Sequence, residues 1–218
     1  MLRTPQPRLL LLLVTALLGL ADGIGAEPPG TLAAQPALQP LQISYSVTRA
    51  ENSRWISLRA DYEIDFPVPP EALSSILEDY ERLSGVFTRI DWAKVVSRRE
   101  GWVITEQRSG VKAFGIEFYT NLFFRNRSDR SNPGKVRVIF EQEGEAKTLI
   151  NSQGYWDIED RSSPAGPLSH LHYRIAFDTL AQYPGQETIM RNFGPGDIER
   201  TIKELGLAAE HRRALPGA

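Results

Sequence analysis

Residues 55–85, WISLRADYEIDFPVPPEALSSILEDYERLSG, decide the fold, because within them the apolar period changes from two to about 3.6. In the first half Ile56, Leu58, Ala60, Tyr62, Ile64 and Phe66 alternate with Ser57, Arg59, Asp61, Glu63 and Asp65, which gives a strand one apolar and one charged face. Pro67, Pro69 and Pro70 then stop the ladder, since proline has no N–H to donate, and their fixed φ suits the start of a helix. Leu73, Ile76, Leu77, Tyr80 and Leu83 recur at helical spacing, Glu71 sits near the positive end of the helix dipole, and Gly85 is expected to close the helix in a left-handed cap. A strand that hands over to a short amphipathic helix must lay the apolar stripe of that helix on something curved and mostly antiparallel.

The chain downstream supplies such a surface. Strand patterns over residues 92–99, 102–108, 116–126, 135–142, 148–159 and 168–179 are separated by turn chemistry at Glu100-Gly101, Ser131-Asn132-Pro133-Gly134, Glu143-Gly144-Glu145 and residues 162–167, which predicts an antiparallel meander. Parity places Leu122 and Phe124 with Ile116 and Phe118, and likewise Val136, Val138 and Phe140, then Trp156 and Ile158, then Leu171, Tyr173, Ile175 and Phe177, on interior faces. Upstream, residues 43–49 are expected to form a short strand that turns at Glu51-Asn52-Ser53 into the long one, making either a hairpin or one long bent strand. At the other end Gly196 and Asp197 read as a helix start with Asp197 as N-cap, followed by a stripe of Ile198, Ile202, Leu205 and Ala209 and an i,i+4 pair of Glu199 with Lys203. A helix arriving last is expected across the concave face of the sheet.

With 218 residues, 41% hydrophobic and 24% charged, the chain is long enough for one well-cored domain, which we expect over residues 43–213. Arg3 and Arg8 precede the apolar run Leu9 to Leu20, and small residues follow, so residues 1–25 read as a secretory signal peptide; the run is shorter than the roughly 20 residues of a spanning helix. Residues 26–42, rich in Pro, Ala and Gln, read as a linker, and the expected location is periplasmic or secreted. The absence of cysteine excludes disulfides and thiolate metal sites, and a net charge of −2 argues against a general nucleic-acid binder.

The strand ADYEIDFPVPPEAL running into a helix start, the run Leu77-Glu78-Asp79-Tyr80-Glu81-Arg82-Leu83 with Phe87 and Ile90, the strand Gly154-Tyr155-Trp156-Asp157-Ile158, and Leu171-His172-Tyr173 through Asp178 together resemble the START-like, or SRPBCC, superfamily. That group includes polyketide cyclase/dehydrases and coenzyme Q-binding proteins, and the resemblance covers residues 44–210. It implies an α+β helix-grip fold, a curved antiparallel sheet of about seven strands around a C-terminal helix. It also implies an apolar pocket between sheet and helix, hence a binding module for a hydrophobic small molecule such as a lipid, quinone or polyketide-like compound, with no cofactor.

The lining expected on this basis is Ile116, Phe118, Phe124, Trp156, Tyr173, Ile175, Ile198, Ile202 and Leu205, with ordinary core packing as the competing account of each. Thr105, Gln107 and Ser109 share one parity of the strand that begins at Trp102 and Glu106 and Arg108 the other, so one set faces inward; Trp102 and Ile104 suggest Glu106 and Arg108, a compensating pair able to meet a polar headgroup, the competing account being a twist that takes both to solvent. A cyclase or dehydratase using the same pocket is the alternative function, but no convergent acid–base set is visible. His170 and His172 lie on the parity opposite Leu171 and Tyr173, are expected to face solvent, and have no evident third metal ligand. Arg125, Arg127, Arg130, Lys135 and Arg137 gather near one turn and could meet anionic headgroups in transient membrane contact, or serve as a solvated hairpin edge; Val111 to Gly115 is the candidate lid.

Overall fold

The computed structural model describes residues 42–113, 116–144, 146–182 and 184–214, with the backbone alone at 42, 111–113, 116–118 and 214. The signal-peptide and linker readings lie outside these residues, apart from residue 42. In chain order the elements are β1 (Gln42–Thr48), β2 (Trp55–Phe66), α1 (Pro70–Glu78), a 3-10 turn (Tyr80–Gly85), β3 (Ile90–Arg99), β4 (Trp102–Ala113), β5 (Ile116–Asp129), β6 (Lys135–Gln142), β7 (Leu149–Asp160), β8 (Ser169–Leu180) and α2 (Gln186–Ala214). They form one curved, unclosed antiparallel sheet in the order β1-β2-β8-β7-β6-β5-β4-β3. The sheet thus has eight strands, one more than the expected seven, because residues 42–48 pair with β2 as a separate strand rather than extending it. The hairpin between them turns at Asn52, in the left-handed region at φ 60°, and Glu100 and Gly101, at φ 51° and 78°, make the two-residue turn between β3 and β4.

The periodicity of β2 translates directly into burial. Ile56, Leu58, Ala60, Tyr62, Ile64 and Phe66 are all buried on the concave face. Leu73, Ile76, Leu77, Tyr80 and Leu83 are buried as well, and with Val138, Trp156, Ile158, Leu171 and Tyr173 they build the main core. The single helix expected over this stretch is instead broken at Asp79 (φ −85°, ψ 64°) into α1 and the 3-10 turn. Leu77, Tyr80 and Leu83 are three residues apart, the spacing at which 3-10 side chains align, so the stripe stays buried through the break. Gly85 is not left-handed; the last turn closes through Leu83 O, which accepts from Val86 N at 3.1 Å and Phe87 N at 2.8 Å.

The C-terminal helix starts at Gln186, a full ten residues before the expected Gly196, and Asp197 lies inside it rather than at its N-cap. Pro195 removes one N–H but its φ is helical, so a single internal bond is lost and the helix continues. Gly194 is there for room: a Cβ would stand 1.8 Å from the hydroxyl oxygen of Tyr45, and that hydroxyl donates to Met190 O at 2.9 Å. Ile202, Leu205 and Ala209 are buried against the core, and Lys203 meets Glu199 at 2.7 Å.

On the outer face charged side chains are tied in ladders. Asp157, 7% exposed at its side chain, receives hydrogen bonds from Arg137 and lies 3.1 Å from Lys135 Nζ. Burial pushes its carboxyl up, but the hydrogen bonds and charges of Arg137 and Lys135 outweigh this and hold it below the usual carboxylate range. The unfolded carboxyl therefore binds protons first, so the stabilisation is complete above the ordinary Asp pKa and lost as pH falls through the depressed folded value. Asp157→Asn is expected to cost about 1–3 kcal/mol near neutrality. It should also flatten the acid limb of stability, read as urea midpoints between about pH 5 and pH 2.

Candidate functional site

A cavity lies between the concave face, α1 with its 3-10 turn, and α2. Its inner chamber, about 240 Å³, is walled by Leu77, Tyr80, Leu83 and Phe87 from the helical side and by Phe124, Val138, Phe140, Trp156 and Tyr173 from β5 to β8. The aromatic rings support one another: Trp156 stacks on Tyr173 at 3.9 Å between centroids, and Phe140 meets Tyr173 at 6.4 Å and Phe124 edge-on at 6.1 Å. An outer chamber of about 620 Å³ continues toward β1 and the first half of α2, adding Leu58, Leu122, Phe177, Ile189, Met190, Phe193 and Ile198. Arg89, Gln107, Ser109, Phe124, Ser152, Tyr173, Ile175 and Thr201 line both chambers.

Polar atoms are few and placed. Asn126 Nδ2 donates to Thr105 Oγ1 at 3.0 Å and Val103 O at 3.2 Å, while Ser109 Oγ is buried without a hydrogen-bond partner among the described residues. Burial pushes the Tyr173 phenol far up, so it stays protonated, and that of Tyr80 to about 12, with Glu78 adding to the shift. Among the described lining residues the charged side chains are Arg89 and Asp197, which form an ion pair with each other.

Of the residues singled out from the sequence, Phe124, Trp156, Tyr173 and Ile175 are brought together around the inner chamber and Ile198 stands at the outer one. Ile202 and Leu205 are fully buried against β2 and α1 and do not line the cavity. The side chains of Ile116 and Phe118, like the lid residues 111–115, lie outside the described residues.

Glu106 and Arg108 are on the outer face, a correction to the inward placement expected from Trp102 and Ile104. Thr105 pairs with Phe124 and Gln107 with Leu122, so the odd-numbered positions of β4 face inward. Glu106 instead meets Lys94 at 2.7 Å, and Arg108 meets Asp91 at 3.3 Å and lies over the Tyr119 ring. Ile104 is buried on that outer face opposite Arg125, and Trp102 is covered by the guanidinium groups of Arg125 and Arg127, so the apolar pair marks an arginine-covered outer patch. Of the two parity sets on β4, the sequence reading favoured the wrong one; what places Gln107 and Ser109 inside is the β4–β5 register, which matches their parity to that of Leu122 and Phe124.

The basic cluster is not free either. Arg125 donates to Glu141 at 2.6 Å, Arg130 meets Glu78 at 2.6 Å, Lys135 and Arg137 share Asp157, and Arg127 stacks on Trp102. His170 and His172 do point away from the cavity, but they are largely covered rather than solvated, bonded to Asp65 at 2.8 Å and Asp61 at 3.0 Å across the β2–β8 pairing. No group of three or more potential metal ligands occurs among the described residues.

No family model matches the chain, and no curated protein matches it. Solved structures do. The Zhui aromatase/cyclase from Streptomyces sp. R1128 is similar with a TM-score of 0.58 at 12% identity, over 73% of this chain and 97% of that one. A STAR-related lipid transfer protein from Xanthomonas axonopodis gives 0.58 at 11% identity, over 80% and 99%, and human STARD10 gives 0.55 at 8%, over 76% and 72%. At such identities the likeness is one of fold, and the fold is START-like, of the α+β helix-grip type.

Proposed function

We propose, from the START-like fold and the aromatic-walled cavity beneath α2, that residues 43–213 form a binding domain for a hydrophobic small molecule such as a lipid, quinone or polyketide-like compound. The observation that carries this reading is the continuity of an apolar inner chamber with an outer chamber through a shared ring of residues. A cavity of this kind forfeits packing contacts, so its retention beside an otherwise well-filled core favours an occupant. A cyclase or dehydratase would need a proton donor or acceptor aimed into the cavity. The described lining offers Asp197, ion-paired with Arg89, and the phenols of Tyr45, Tyr80 and Tyr173, which burial pushes up and makes reluctant to release a proton, and this favours binding over catalysis.

The test is titration of delipidated protein with a naphthoquinone and with a fluorescent polyene lipid. Binding at one site is expected, and Ile175→Trp, which places an indole where the chambers join, should weaken it at least about tenfold while the fold survives. Absence of saturable binding for every probe, together with no co-purifying small molecule in native mass spectrometry, would sink the reading.

The same reading takes the protein as exported through residues 1–25, which the mass of the mature chain would check. It places membrane contact during ligand exchange at the cavity mouth, where Ile189 and Phe193 are exposed one helical turn apart, rather than at the engaged basic hairpin. Vesicle co-sedimentation of wild type against Phe193→Glu reads that contact. Among the described residues no helix is long and apolar enough to cross a membrane.

A further inference from the structure

Arg89 is the only cation among the described residues lining the cavity, and it stands with Gln107 and Ser109 where the two chambers meet. Its position is built from several contacts. Its carbonyl accepts from Gly110 N at 3.0 Å, and the neighbouring Ile90 pairs with Ser109, which brings the start of β3 beside the polar inward positions of β4. Preceding it, Thr88 donates through its hydroxyl at 2.7 Å and its N–H at 3.2 Å to Glu204 of α2. The guanidinium itself pairs with Asp197 of α2.

The pairing is asymmetric. Asp197 has a second cation, Arg200, at 3.7 Å, whereas Asp197 is the only carboxylate within ion-pair distance of Arg89 among the described residues. If Arg89 turned to another anion, Asp197 would keep a compensating charge, so exchange would not strand it. A guanidinium presents a planar fork of donors matched to a carboxylate, and Ser109, whose buried Oγ has no hydrogen-bond partner among the described residues, lines the same junction.

We propose that the cavity takes a carboxylate-bearing amphiphile. The carboxylate replaces Asp197 on Arg89 and the apolar body lies in the inner chamber among Phe140, Trp156 and Tyr173. This rests on the binding reading above and adds the charge of the ligand to it. Arg89 is about one-third exposed at its side chain, so the contribution is moderated by solvent and should weaken with salt.

The experiment compares each acid with its own methyl ester at neutral pH: cis-parinaric acid for an acyl chain and 2-naphthoic acid for an aromatic body, each measured by fluorescence titration. In wild type at least one acid is expected to bind about tenfold more tightly than its ester, and which pair shows the preference tells the acyl from the aromatic source. The acid-to-ester ratio should fall to near one in Arg89→Gln, recover partly in Arg89→Lys, and rise in Asp197→Asn, where the internal competitor is gone. A ratio near one in wild type overturns the proposal, as does a preference that persists in Arg89→Gln. If neither acids nor esters bind, the carboxylate proposal is overturned, and the binding reading falls with it only if the naphthoquinone also fails and nothing co-purifies; if esters bind as well as acids, that reading stands and only the anionic ligand is lost.

Discussion

Gly154→Ala is expected to destabilise the protein by about 3 kcal/mol or more, although it adds one methyl group. A Cβ at residue 154 would stand 2.1 Å from the carbonyl oxygen of Arg174 and 2.5 Å from Cζ of Phe140. The first neighbour is backbone of β8 and cannot swing aside. Gly154 pairs with Ile175 on one side and Phe140 on the other, just past the irregular register at Ile150 and Gln153, so relieving the clash means separating β7 from β8. Phe140 walls the inner chamber, and its displacement would disturb the ring cluster with Tyr173. Denaturant unfolding should show a lower midpoint with little change in slope. A loss below about 1 kcal/mol would mean that the strands do not approach as closely as the structure has them.

Phe66→Ala should cost about 3–5 kcal/mol, a large share of the total for a domain of this kind. Phe66 ends β2, is 1% exposed, and lies directly under Gly206 of α2, where a Cβ would fall 2.3 Å from its Cε1. The pair therefore sets how closely the C-terminal helix approaches the sheet. Gly206→Ala alone should destabilise the wild type through that clash. In the Phe66→Ala background the same change should help, because the methyl group enters vacated space and alanine favours a helix interior by roughly 1 kcal/mol over glycine. A double-mutant cycle in which the two changes simply add would show that ring and glycine are not in contact.

How much of this was legible beforehand depends on the reach of the interaction involved. The alternation along β2 made its buried face readable, since a strand's two faces are set by parity within a few residues and the opposite face is polar from Ser57 to Asp65. The stripes of β6, β7 and β8 and the Ile202, Leu205 and Ala209 face of α2 were readable for the same reason. On β4 both faces carry apolar residues, Ile104 on one and Val103 on the other, so parity alone could not say which was concave. That choice is made by the pairing of Thr105 with Phe124 and of Ile104 with Arg125, residues about twenty positions away. Hence Gln107 and Ser109 were set aside as the outward parity and Glu106 and Arg108 were placed inside.

The helix boundaries divide in the same way. Gly196 and Asp197 read locally as a helix start, yet the helix begins ten residues earlier, and along that added stretch Tyr45, 149 positions before Gly194, fits against that glycine and hydrogen-bonds the preceding turn. The sequence by itself determined the order of elements, the buried faces of β2, β6, β7 and β8 and the START-like architecture, because backbone sterics and apolar periodicity act over one or two turns of chain. Only the tertiary structure decided which stretch of the α2 stripe meets a void and which meets a side chain. It also decided that Arg89 and Asp197, far apart in the chain, meet in the lining of that void. A cavity is a property of three surfaces brought together, and no single segment encodes the gap that the others leave.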